Sequence, residues 1–105
     1  MWHPHTTHHL LNDNQSAAAA AGAVPHMMQL TKSSNADLQQ QAVIALGGLV
    51  FNHHNNQSAA AAAGAVPYLM QLTKSSNSGL AIIAVVALDR LVSNHHDNQA
   101  MAGQI

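Results

Sequence analysis

The sequence has no cysteine and no glutamate. Without a thiol there is no disulfide framework, no thiolate nucleophile and no thiolate metal ligand. This fits an intracellular chain, cytoplasmic or nuclear. Charged residues make up only 7% of the 105 positions, against roughly a quarter in an ordinary soluble domain. The cations are Lys32, Lys74 and Arg90, set against Asp13, Asp37, Asp89 and Asp97. Three dispersed basic groups cannot form a phosphate-binding stripe, so nucleic acid is excluded as a partner on charge grounds. Large side chains are scarce as well, with one Trp, one Phe and one Tyr. Any core must be thin and built from Ala, Leu, Val, Ile and Met. The longest apolar run, residues 80–88, ends at Asp89-Arg90 and is about half the roughly 20 residues of a membrane span. Met1-Trp2-His3-Pro4-His5 has neither a basic start nor an apolar signal core. No membrane insertion is expected.

What the chain does have is a copy of itself. Residues 14–55 recur as residues 56–97, with 30 of 42 positions identical, and Asn98-Gln99 starts a third copy that runs to Ile105. A tandem unit of this length cannot bury its own apolar face and must stack on its neighbours. Four segments are therefore expected: a His-rich N-terminal arm or partial preceding helix at 1–13, units at 14–55 and 56–97, and the start of another at 98–105.

Each unit reads as three helices. The first, at 15–21 and 57–63, carries five consecutive alanines, the strongest helix formers. Gly22 and Gly64 then suit a helix stop or a sharp turn. The second opens at Val24-Pro25 and Val66-Pro67, where proline fits a first helical turn. Its apolar side is Met27, Met28 and Leu30, copied as Leu69, Met70 and Leu72. A polar turn follows, with Ser34 or Asn35 as candidate cap of the next helix, and Ser76, Asn77 or Ser78 in the copy. The third and longest helix is expected at 36–51 and 78–93. Leu38, Ala42, Leu46 and Leu49 recur at helical spacing, as do Leu80, Ala84, Leu88 and Leu91. Asn52-His53-His54 and Asn94-His95-His96 close the units.

These features resemble the armadillo repeat. The residues that carry the likeness are Asn14-Gln15, Ala21-Gly22-Ala23-Val24-Pro25, Leu30, Ser33-Ser34-Asn35, Gln41-Ala42-Val43 and Ala45-Leu46. Their copies are Asn56-Gln57, Ala63-Gly64-Ala65-Val66-Pro67, Leu72, Ser75-Ser76-Asn77, Ala84-Val85 and Ala87-Leu88. The resemblance implies an all-α, right-handed solenoid of three-helix units whose third helices line a concave groove. It also implies a groove that binds proteins or extended peptides, as in nuclear import adaptors, catenins and plant ubiquitin-ligase scaffolds. The Trp and Asn that repeat along the third helix of import adaptors are absent. Ile44 and Gly48, then Val86 and Arg90, stand at those positions.

Residues three or four apart on a helix share a face, so the groove candidates are Gln40, Gln41, Ile44 and Gly48, followed by Ile82, Ile83, Val86 and Arg90. The second set is the greasier and makes an apolar patch beside a cation. Packing against a neighbouring unit accounts for the same residues equally well. The nine histidines raise metal binding, with His53, His54, His95 and His96 as candidate ligands. Stacked helices lie about 8–10 Å apart, which keeps equivalent pairs from sharing an ion, and duplicated polar loops explain them better. No cofactor is expected. His95-His96-Asp97 near Ser93 has no counterpart around Phe51 and Asn55. With no phosphate loop, nucleophile elbow or paired carboxylates, no enzyme is expected.

The resulting expectation is a non-catalytic protein-interaction module or scaffold using the third-helix groove. The alternative is a structural subunit of a larger complex, or a solenoid that self-associates head to tail. Two units without polar caps leave both ends open. His-mediated metal binding is the weakest alternative.

Overall fold

A computed structural model describes residues 22–103. Six helices follow one another: α1 (Ala23–Leu30), α2 (Ala36–Val50), α3 (His54–Ala62), α4 (Ala65–Leu72), α5 (Ser78–Val92) and α6 (His96–Gly103). Among the described residues there is no strand. The starts of α1 and α4, of α2 and α5, and of α3 and α6 are each 42 residues apart, so the period seen in the letters is also the period of the helices. The alanine run expected as a helix at 15–21, the N-terminal arm expected at 1–13 with its histidines, and residues 104–105 lie outside the described residues.

The breaks between helices have local causes. Gly22 and Gly64 adopt φ of +82° and +87°, a left-handed conformation that costs an L-residue its Cβ clearance. They turn the chain straight into α1 and α4. Asn35 and Asn77 cap α2 and α5, their Oδ1 atoms accepting the amides of Leu38 and Leu80 at 3.1 Å. Ser33 and Ser75 in turn accept the amides of those asparagines. Asn52 and Asn94, with φ of 51° and 56°, end the long helices, and asparagine tolerates this left-handed region better than most residues. Then comes a departure from the expected boundaries. His54 and His96 do not close the units but open α3 and α6. The reason is that His53 and His95 act as N-caps, Nδ1 accepting the amides of Asn56 and Asn98 at 3.1 and 3.2 Å. An imidazole nitrogen does here what a Ser or Asp oxygen usually does.

Packing follows the repeat. α1 lies on α2 and α4 on α5, while the two 15-residue helices α2 and α5 form the most extensive seam. The core runs through Val24, Met28, Val43, Leu46, Val50, Val66, Leu69, Leu80 and Leu91. Ala60, Ala65 and Ala87 are also buried in it and let the helices come close. Identical residues have different fates in the two copies. Val43 is fully buried while its counterpart Val85 is 54% exposed. Conversely, Leu80 is 6% exposed and its counterpart Leu38 is 41% exposed. The neighbouring unit is thus what buries these side chains.

The Asn-Gln pair that opens each unit has a visible role. The last carbonyls of a helix lack intrahelical partners. Asn56 Nδ2 donates to the carbonyl of Leu49 at 2.8 Å, near the end of α2. Asn98 Nδ2 does the same for Leu91, near the end of α5, at 2.9 Å. Gln57 Nε2 reaches the carbonyls of Arg90 and Ser93 at 2.8 and 2.9 Å. The Asn side chain therefore ties a unit to the long helix before it, and the Gln side chain ties it to its own.

Candidate functional site: the groove between the long helices

Where α2 and α5 run side by side, their rims leave a shallow groove of about 160 Å³. Val43, Ile44 and Gly47 line it from α2, and Ile83, Val86, Ala87 and Arg90 from α5. Residue 47 is a glycine that faces α5 across the seam. A Cβ there would lie 3.6 Å from the Cα of Ala87 and 3.7 Å from Arg90 Cδ. The guanidinium carbon of Arg90 sits 5.0 Å from the centre of the Phe51 ring. A cation over an aromatic face is held by the ring quadrupole, by roughly 0.5–1 kcal/mol at an exposed site. The one cation among the described lining residues is therefore placed by an aromatic residue at the end of α2.

Of the residues expected in a groove, Ile44, Ile83, Val86 and Arg90 are brought together in it. Gln40 is half-buried and reaches toward the seam, its Nε2 lying 3.9 Å from where a Cβ on Gly79 would be. Gln41 and Gly48 are exposed and outside the lining. Ile82 also lies outside it and is 64% exposed, the most open large apolar residue described. Sequence spacing missed Val43, Gly47 and Ala87, which form the floor because two helices pack there, and Phe51, which meets Arg90 across 39 residues of chain. A glycine at position 47, inside a helical pattern, is the available sign of a packing contact.

A second polar cluster gathers at the junction of α3 and α6. The rings of His54 and His95 stack with centroids 4.2 Å apart and planes 14° from parallel. Ser58 Oγ is 2.8 Å from His95 Nε2. A serine beside a histidine invites a nucleophilic reading, but the other ring nitrogen answers it. Nδ1 of His95 accepts the Asn98 amide, so in the neutral ring the proton is on Nε2, which donates to Ser58. A base that would activate the hydroxyl must present a bare Nε2 and an Nδ1–H held by an acceptor. The geometry is the reverse. Among the described residues, no three His, Asp or Glu side chains gather as a metal site would require. His96 is exposed, and His53 uses Nδ1 as a helix cap.

No helix among the described residues is long and apolar enough to cross a membrane. Comparison with protein-family models, with curated proteins and with solved structures found no match to this chain. The residues themselves define the class: an all-helical protein of duplicated units with an open apolar groove.

Proposed function

We propose that the chain is an armadillo-like, right-handed solenoid segment acting as a non-catalytic protein-interaction module, with the α2–α5 groove as its binding surface for an extended peptide. The observation that carries this is the exposure of Ile44 and Val86 in the groove beside a positioned cation, Arg90. Contiguous exposed aliphatic surface with a polar rim is the usual mark of a contact site. Its chemistry favours a segment with aliphatic side chains and one carboxylate. The aliphatic groups cover Ile44 and Val86, and the carboxylate meets Arg90, whose planar fork suits it.

The test is selection of a displayed random peptide library on the intact protein. The enriched peptides are then measured against Val86→Asp and Arg90→Gln. Aliphatic-acidic peptides that lose affinity on both variants support the reading. Enriched peptides indifferent to both variants, or no enrichment, would overturn it. A second reading, self-association, is favoured by a different observation, the open face that carries Val85.

A further inference from the structure

The α2–α5 seam joins two faces, and the repeat copies both of them. On α2 the buried residues include Val43, Leu46 and Val50; on α5 they include Leu80, Ala87 and Leu91. At the 42-residue offset the first face recurs on α5 as Val85, Leu88 and Val92, and the second recurs on α2 as Leu38, Ala45 and Leu49. All six positions are identical between copies. In the recurrences Val85, Leu38 and Ala45 are exposed, while Leu88, Val92 and Leu49 are half-buried. Each molecule thus displays, at opposite ends, the two halves of a seam that it also contains closed. We infer that α5 of one molecule docks head to tail on α2 of a second copy, repeating the α2–α5 seam. This inference does not depend on the peptide reading of the groove.

Two diverged positions bear on the fit. Across the closed seam Gly47 faces Arg90. The counterpart of Gly47 is Asp89, and the counterpart of Arg90 is Gly48. Across the docked seam, Asp89 of one molecule therefore faces Gly48 of the second. No atom lies within 4 Å of where a Cβ on Gly48 would be, so there is room for the carboxylate to remain at the wet rim. Each seam sets one glycine against one larger side chain, although both positions have changed. An unrelated partner would not require the two ends to stay matched to each other. On this end α6 packs on α5 as α3 packs on α2. It holds Asn98-Gln99 in the register of Asn56-Gln57, and Asn98 already bonds the Leu91 carbonyl as Asn56 bonds that of Leu49. A head-to-tail contact leaves one unused end of each kind, so it extends by adding further copies unless its rotation closes a ring.

Sedimentation velocity over a concentration series tests this on the full chain. The intact protein is expected to rise from monomer to dimer and longer species. Val85→Asp blocks one end and Ala45→Asp the other, both at positions exposed in the single molecule. Each variant is expected to keep its helical circular dichroism. Each should need roughly thirtyfold more protein to associate, the scale of an unpaired carboxylate placed at a seam. An equimolar mixture of the two is expected to form dimers and stop there, because it contains one intact end of each kind. Concentration-independent monomers of the intact protein would overturn the inference. So would undiminished association of both variants, or a mixture that stays monomeric.

Discussion

Tyr68 donates its phenolic hydrogen to the backbone carbonyl of Thr31 at 2.7 Å, joining the second helix of one unit to the polar turn of the other. Gln39 Nε2 donates to the same carbonyl at 2.9 Å, and Lys32 Nζ lies 5.5 Å from the centre of the Tyr68 ring. In the other copy this position is His26, so the tyrosine is a feature of the internal seam. Tyr68→Phe keeps the ring and its packing but removes the donor. Because Gln39 still satisfies the carbonyl, the expected loss is about 0.5–1.5 kcal/mol, read from the urea midpoint. Gln39→Ala combined with Tyr68→Phe is expected to lose more than the two single losses added, since only then is the carbonyl deprived of both donors.

A fully buried amide is worth more than this half-buried corner. Asn56 is buried, and its Nδ2 occupies the Leu49 carbonyl. Asn56→Ala is expected to cost about 1–3 kcal/mol, the penalty for leaving a buried acceptor without its donor. Asn56→Asp is nearly isosteric but places an acceptor against an acceptor and buries a charge. It should therefore be the more destabilising of the two at neutral pH, and denaturant titration of both variants ranks them. An aspartate variant as stable as the intact protein would contradict the assignment of Nδ2 as donor.

The duplication permits a comparison in which chemistry is held constant. Leu46 and Leu88 occupy the same place in their units, but Leu46 is buried and Leu88 is only partly so. Leu46→Ala is expected to cost about 2–5 kcal/mol, because the removed methyl groups leave a cavity. Leu88→Ala should cost about 1 kcal/mol, since solvent already reaches that side chain. Both are measured at a protein concentration low enough to keep the chain monomeric. Equal losses would mean that Leu88 is covered in solution.

Much of the helical plan was legible in the letters because local rules govern it. Asn35 and Asn77 were among the expected caps, and Gly22 and Gly64 among the expected turns; both follow from side-chain and backbone chemistry within a few residues. The beginning of the alanine helix was misplaced for the same kind of reason. Histidine is an uncommon cap, so His53 and His95 read as loop residues when each was in fact starting a helix. In the groove, Ile44, Ile83, Val86 and Arg90 could be found by helical spacing. Phe51 could not, because its meeting with Arg90 is set by how α2 and α5 cross. The burial of Val43 beside the exposure of Val85 was equally invisible in the repeat, since identical letters differ only in whether a neighbour follows.

Two glycine substitutions are expected to have opposite signs. Gly64 has φ of +87° and precedes α4 with open space around its missing Cβ. Gly64→Ala meets no neighbouring atom, so its cost is conformational alone, about 1–2 kcal/mol for holding an L-residue in the left-handed region. Gly48 lies inside α2, also with nothing within 4 Å of a built Cβ. There alanine fits the helical backbone and reduces the freedom of the unfolded chain, for an expected gain of about 0.5–1 kcal/mol. Thermal unfolding monitored by circular dichroism should show the midpoint falling for Gly64→Ala and rising for Gly48→Ala. The same experiment bears on the head-to-tail seam, where Gly48 faces Asp89 of the next molecule. A methyl group there fills part of the space left for the carboxylate. Gly48→Ala should therefore stabilise the monomer while weakening association, and sedimentation of that variant separates the two effects.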